Sequence, residues 1–182
     1  IFNDIWGPSS SEIYIAGSAN NGSADSVKSF ILKYDGSIWQ YIDIPEMDVN
    51  FSKIRKNSSD NLLYLSGLNF YSTGYIYYIY IYDGKTFTKL YEGSKPMLIG
   101  NVRGKVYIYK SSERKIFKYE NGGLVEWKNF SGTQYNSGIF GRSEIDFFTY
   151  GLNNTLLHYN GTDLQPIYQN NNRFNGAYIL EK

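Results

Sequence analysis

A tyrosine, an acid or amide, and a glycine recur together four times in this chain. The corners are Tyr34-Asp35-Gly36, Tyr82-Asp83-Gly84, Tyr119-Glu120-Asn121-Gly122 and Tyr159-Asn160-Gly161. Their tyrosines lie 48, 37 and 40 residues apart. Short runs rich in Ile, Tyr and Phe separate the corners, and no longer stretch shows helical apolar spacing between caps. One such unit cannot bury its apolar faces alone, so neighbours must stack on it. A period of about 40 residues built from short strands is the pattern of β-propeller blades.

Each unit divides into four strand-length runs, A to D. Run A covers 2–7, 51–56, 97–100 and 137–141, and run B covers 12–17, 62–67, 105–109 and 145–151. Run C covers 30–34, 76–82, 115–119 and 155–159, and run D covers 38–42, 86–90, 125–130 and 163–168. The expected fold is all-β, a propeller domain of four-stranded antiparallel blades at about 1–48, 49–94, 95–133 and 134–173. Phe174-Asn175-Gly176-Ala177-Tyr178 aligns with Phe2-Asn3-Asp4-Ile5-Trp6. Residues 174–182 therefore read as the first strand of a fifth blade, and the chain as part of a larger propeller. The alternative is a terminal strand that swaps to another chain or closes the ring.

Asp35-Gly36, Asp83-Gly84 and Asn160-Gly161 sit between apolar runs, and such pairs favour type I′ hairpins with positive φ at both residues. Turn geometry then accounts for Asp35 and Asp83 better than catalysis does. In run C both alternating faces are largely apolar, as expected of strands sandwiched between sheets.

The segments FNDIWGPSSSEIYIAG and SFILKYDGSIW carry a resemblance to a bacterial propeller repeat of secreted and cell-surface proteins. Ile5-Trp6-Gly7, Ser9-Ser10, Glu12-Ile13-Tyr14, Gly17, Tyr34-Asp35-Gly36 and Trp39 match its pattern. The fourth unit keeps Phe140-Gly141, Glu144-Ile145, Gly151 and Leu157-His158-Tyr159-Asn160-Gly161. In the second unit Arg55 replaces the Trp, and the third has a shortened A–B turn at Arg103-Gly104. The corner is also similar, one residue short, to the Asp-box of sialidase-type propellers, a structural element. The resemblance implies an extracytoplasmic setting (secreted, periplasmic or cell-surface) and a shape; it implies no chemistry, because propellers host many activities.

Charge is nearly balanced, with 18 basic and 17 acidic residues. Nucleic-acid binding needs a concentrated basic surface, so no nucleic-acid partner is expected. No run is long and apolar enough for a membrane span. The chain has no cysteine, which removes a thiol nucleophile and Cys-based zinc sites. The single histidine, His158, has Lys33, Ile81 and Lys118 as repeat equivalents, which suits a snorkelling position. Asp4 and Asp146 lie in strands without an evident partner, and glycosidase chemistry needs two facing carboxylates. Asp25 and Asp60 offer only sparse oxygen ligands for calcium. No catalytic residue, metal or cofactor is expected.

Binding is expected at one end of the molecule. With runs ordered A to D outward, the B–C and D–A connections share an end, and loops on a rigid scaffold commonly carry recognition. Two B–C connections are long, 18–29 and 68–75. The second carries Asn69, Phe70, Tyr71 and Tyr75, and aromatics beside amides suit a sugar ring or a peptide; the alternative is that 70–75 simply extends the B–C hairpin and packs on itself. Arg55, on an innermost strand, is an anion-binding candidate set in solvated channel space. The expected function is a non-catalytic module recognising protein or glycan, within a larger complex or beside further blades. The alternatives are a structural subunit joined by blade-edge strand addition and a sialidase-like or lyase-like enzyme.

Overall fold

A computed structural model describes residues 1–20, 27–130, 138–150 and 155–169, and residues 174–182 with their expected strand lie outside these. The fold is all-β, and each of the sixteen expected runs is a strand. The first unit holds β1 (Phe2–Ser9), β2 (Glu12–Asn20), β3 (Val27–Tyr34) and β4 (Trp39–Ile42). The second holds β5 (Asn50–Lys56), β6 (Leu63–Tyr71), β7 (Gly74–Tyr82) and β8 (Phe87–Gly93). The third holds β9 (Met97–Val102), β10 (Lys105–Lys110), β11 (Lys115–Glu120) and β12 (Gly123–Asn129), and the fourth β13 (Gly138–Ser143), β14 (Asp146–Tyr150), β15 (Thr155–Tyr159) and β16 (Leu164–Gln169). They gather into two compact bodies, Ile1–Lys95 and Pro96–Lys182.

Within every unit the four strands form an antiparallel meander in chain order. Units one and two are separate four-stranded sheets, whereas units three and four merge into one eight-stranded sheet. Four separate sheets were expected. The merger comes from parallel pairing of β9 with β13, through Asn101 opposite Phe140 and Val102 opposite Gly141. Its cause is Gly100. Cross-strand register places Gly100, Trp6, Arg55 and Phe140 at one equivalent position, opposite Tyr107, Tyr14, Tyr64 and Phe148. A Cβ on Gly100 would lie 2.4 Å from Ile139 Cγ2 and 2.5 Å from the Ile139 carbonyl. Only glycine admits that approach.

Register makes the units equivalent residue by residue. Ile5, Ile15, Leu32 and Tyr41 form one row across the first sheet. The row recurs as Ile54, Leu65, Tyr80 and Lys89, as Ile99, Ile108, Phe117 and Glu126, and as Ile139, Thr149, Leu157 and Pro166. In the first body, Tyr14, Ala16 and Ile31 of one sheet cluster with Phe51, Ile54, Leu63 and Leu65 of the other, and Trp6 packs beside them. In the second body, Tyr107, Tyr109 and Ile116 cluster with Ile139, Phe147, Leu157 and Tyr159, and Trp127 closes the gap. Each such side chain, fully buried, contributes about 1.5–3 kcal/mol of burial free energy. Covering of one unit by the next is therefore what holds each body together, with the β9–β13 ladder added in the second.

The recurring corner has a different geometry from the expected one. Of each pair only the glycine has positive φ: Gly36 at 97°, Gly84 at 100° and Gly161 at 96°. The loops span four residues, because Tyr34 pairs with Trp39, Tyr82 with Phe87 and Tyr159 with Leu164. The acid or amide side chain displaces the type I′ turn. Asp35 Oδ1 accepts the Ser37 and Ile38 N–H groups at 2.9 and 3.0 Å. Asp83 does the same for Lys85 and Thr86, and Asn160 for Thr162 and Asp163. This local capping gives the backbone an alternative to the tight hairpin. The tyrosine completes it: Tyr34, Tyr82 and Tyr159 hydroxyls donate to the carbonyls of Gly36, Gly84 and Gly161 at 2.9, 2.8 and 2.7 Å. The Tyr-acid/amide-Gly repeat is thus one hydrogen-bonded unit. Positive φ at both central residues occurs instead at Asn121-Gly122 (53° and 83°) and Arg103-Gly104 (46° and 76°).

Candidate binding site

The site is built from the second sheet and the segment leading into it. β6 and β7 pair as far as Phe70 opposite Tyr75 and Tyr71 opposite Gly74, leaving only Ser72 and Thr73 as a turn. Residues 70–75 therefore extend the B–C hairpin, one of the two expectations for this segment, and 68–75 is mostly strand. Aromatic side chains favour the pleated conformation and pair across it, which extends the ribbon. Gly74 makes the turn possible with φ of 122°. Of the other long connection, the strands run to Asn20 and from Val27, and residues 21–26 lie outside the described residues.

Alternation splits the tip into two faces. Phe70 and Tyr75 share one face with their ring centroids 5.1 Å apart, and Tyr77 continues it 6.4 Å from Tyr75. Phe70 is 65% exposed and Tyr75 52% exposed. Tyr71 is on the other face. Its hydroxyl donates to Asp48 Oδ2 at 2.9 Å and lies 3.4 Å from the Tyr78 hydroxyl. Asn69 Nδ2 donates to the Asp48 carbonyl at 3.4 Å, while its Oδ1 accepts the Phe70 N–H at 2.8 Å. Asn69 and Tyr71 thus brace the hairpin, and Phe70 and Tyr75 form its open ridge. Asp48 was missed in the sequence; only its place in the D–A connection, at the B–C end, could have suggested it.

The D–A connection also touches the first sheet. The Ser29 hydroxyl donates to the Val49 carbonyl and accepts the Phe51 N–H at 3.3 Å. The shared end of B–C and D–A segments is therefore real within this body. A shallow cleft of about 240 Å³ lies there, lined by Lys28, Ser29, Ile44, Pro45, Glu46 and Met47. It is below the ~300–1,000 Å³ usual for small-molecule pockets. This end suits contact with a ring face or an extended surface better than engulfment of a small molecule.

Arg55 is not set in open solvent. Its Nη1 donates to Asp4 Oδ2 and to the Ile54 carbonyl, each at 2.5 Å. The Arg55 and Asp4 side chains are only 17% and 14% exposed. Asp4 also accepts the Ile54 N–H at 2.9 Å, so the pair latches β1 to β5. Arg55 sits opposite Tyr64, six residues and about 20 Å along β6 from Phe70. The geometry does not bring it to the aromatic ridge.

Several titratable groups elsewhere are paired with neighbours. His158 Nε2 is 2.8 Å from Asp146 Oδ1, and its ring stacks on Phe148 at 4.6 Å. Asp146 also meets Arg142 at 2.6 Å. The bond from His158, with Arg142 beside it, lowers the Asp146 pKa against its partial burial. Asp60 is filled by internal donors from Asn57, Leu62 and Tyr64, and Asp25 lies outside the described residues. No group of three or more metal-ligating side chains occurs among the described residues. Glu144, noted in the sequence only as part of the repeat pattern, gathers Lys105 at 3.1 Å, Tyr107 at 2.8 Å and Lys118 at 3.0 Å on one oxygen. It ties the third unit to the fourth.

Comparison of the chain with protein-family models and with curated proteins finds no match.

Proposed function

We propose that this chain is a β-propeller-type, non-catalytic recognition module of a secreted or surface-attached bacterial protein. Its four equivalent meander units support the propeller reading, as does the resemblance of the first and fourth units to bacterial propeller repeats. The recognition surface is the B–C/D–A end, and its ligand is a glycan or a protein segment. The observation that carries this is the open ridge of Phe70 and Tyr75 on a hairpin braced from behind by Asp48. A rigid aromatic pair offers stacking area at small entropic cost. Braced neighbours hold the ridge in place before any ligand arrives.

The test is a screen of arrayed glycans and displayed peptides, followed by calorimetric titration of the best binder. Phe70→Ala and Tyr75→Ala are each expected to weaken binding about tenfold or more, as truncated aromatic anchors do. Both side chains are exposed, so folding is retained. Binding that is unchanged in both variants, or absent across the screens, overturns the proposal.

A further inference from the structure

Four Asn-Gly pairs occur in the chain, of which Asn21-Gly22 and Asn175-Gly176 lie outside the described residues. The other two, Asn121-Gly122 and Asn160-Gly161, stand in corners of the repeat and are held in opposite ways. Asn160 is pinned. Its Oδ1 accepts the Thr162 and Asp163 N–H groups at 3.0 and 2.9 Å. The Tyr159 hydroxyl donates to the Gly161 carbonyl at 2.7 Å, which fixes the residue that follows. Ile145 closes the space beside Gly161, its Cβ 3.4 Å from where a Gly161 Cβ would stand.

The third corner is one residue longer, and Glu120 takes the place that Asp35, Asp83 and Asn160 hold elsewhere. Glu120 pairs with Gly123, so Asn121 and Gly122 alone make the turn. Both lie at positive φ, 53° and 83°, which is unfavourable for a residue that carries a side chain. The Asn121 side chain has no hydrogen-bond partner among the described residues. The Gly122 N–H has no backbone partner there. Nothing stands within 4 Å of a Cβ built on Gly122. Asn121 and Asn160 are both exposed, so the side-chain cap, not access of water, separates them.

We propose that Asn121 is a site of self-modification, at which its side-chain amide cyclises onto the Gly122 backbone nitrogen. The Gly122 nitrogen gives up its proton and bonds to Asn121 Cγ. The bond from Cγ to Nδ2 breaks, and ammonia leaves with that proton. The product is a cyclic imide joining the two residues. Glycine permits the attack, because no Cβ shields its nitrogen. Water then opens the ring. Opening at Cγ gives aspartate. Opening at the Asn121 backbone carbonyl gives isoaspartate, whose main chain runs through Cβ and Cγ. No oxidant or reductant takes part. The isoaspartate product lengthens the turn by one methylene and sets a new carboxylate beside Glu120. A two-residue turn fixes hairpin register, so the longer link loosens the pairing of Glu120 with Gly123.

The test is incubation of the folded protein in mildly alkaline buffer, which speeds loss of the Gly122 proton, followed by digestion and peptide mapping by mass spectrometry. The Asn121 peptide is expected to convert at least about tenfold faster than the Asn160 peptide, the factor that two hydrogen bonds to Oδ1 supply. It should give two products of one mass that separate on the column, aspartate and isoaspartate. A parallel incubation in urea removes both the turn and the cap. There the two peptides are expected to react at similar rates. An Asn121 that stays intact in the folded protein overturns the proposal, as does an Asn160 that keeps pace with it. A preference for Asn121 that persists undiminished in urea also overturns it, since the neighbouring residues and not the fold would then set the rate.

Discussion

Glu144 shows how single residues fasten one unit to the next. Burial acts to raise its pKa, but bonds from Tyr107, Lys118 and Lys105 outweigh this and hold the carboxyl at about 2, against an ordinary 4.5. A pKa lower in the folded than in the unfolded chain means stabilisation that is present above the unfolded value and lost as pH falls toward the folded one. The carboxylate is about one-third exposed, so solvent screening reduces the effect to about 1 kcal/mol. Glu144→Gln is therefore expected to lower stability by about that much at pH 7. The gap between the two proteins should narrow below pH 4.5 and close near 2. Urea titrations of both across that range measure it, and a gap that does not change with pH contradicts the assignment. The repeat pattern marks Glu144 as the counterpart of Glu12 but not as a hub, because its three partners come from two strands that only the fold brings near. The tyrosine corner is the opposite case. Its contacts span two or three residues, so the repeat itself was visible, while the bond pattern was not. Asp-Gly and Asn-Gly dipeptides fit both a tight hairpin and a side-chain-capped loop, and the choice lies in the backbone bonds of Ser37, Lys85 and Thr162.

At the scale of strands, Gly100 decides whether neighbouring units stack or fuse. Where Trp6 occupies that position the two sheets of the first body remain separate, and where Gly100 does, β9 and β13 form a ladder. Gly100→Ala drives a methyl group into the Ile139 backbone. It is expected to cost about 3 kcal/mol and to lower Tm by on the order of 10 °C. A thermal melt within a degree or two of wild type contradicts the role given to Gly100. Strand positions were legible because alternating aromatic and β-branched runs, punctuated by turn residues, have few other solutions. Strand ends were less so. Segment 68–75 carries Asn, Ser, Thr and Gly, which suit a loop as well as an extended hairpin, and the pairing of Phe70 with Tyr75 carries the ladder nearly to the tip. Arg55 was legible as an exception to the Trp pattern, but not as an ion pair. Asp4 lies 51 residues away in sequence, and register alone sets them face to face.

At the scale of the molecule, one unit covers the next within each body. In the first body the first sheet presents one face, typified by Tyr14 and Ile31, and the second sheet receives it on a face typified by Ile54 and Leu65. Run C, apolar on both sides, led to the expectation that every sheet is sandwiched. In the second sheet both sides are buried, at Ile79 and Ile81 on one and at Tyr78 on the other. The expectation fails for the first, whose face bearing Ile5 is open. Sequence could not reveal this, because an apolar face reads the same whether or not a neighbour stands on it. The chain has no cysteine, so a single introduced thiol reports its own position without interference. The most direct measurement is thiol labelling of Ile5→Cys, Ile54→Cys, Ile99→Cys and Ile139→Cys in the native protein at low concentration. Fast reaction at position 5 and strong protection at the other three is the expected result. Equal protection at all four positions would contradict the open face and, with it, the account of the first unit as one that covers its neighbour on one side only.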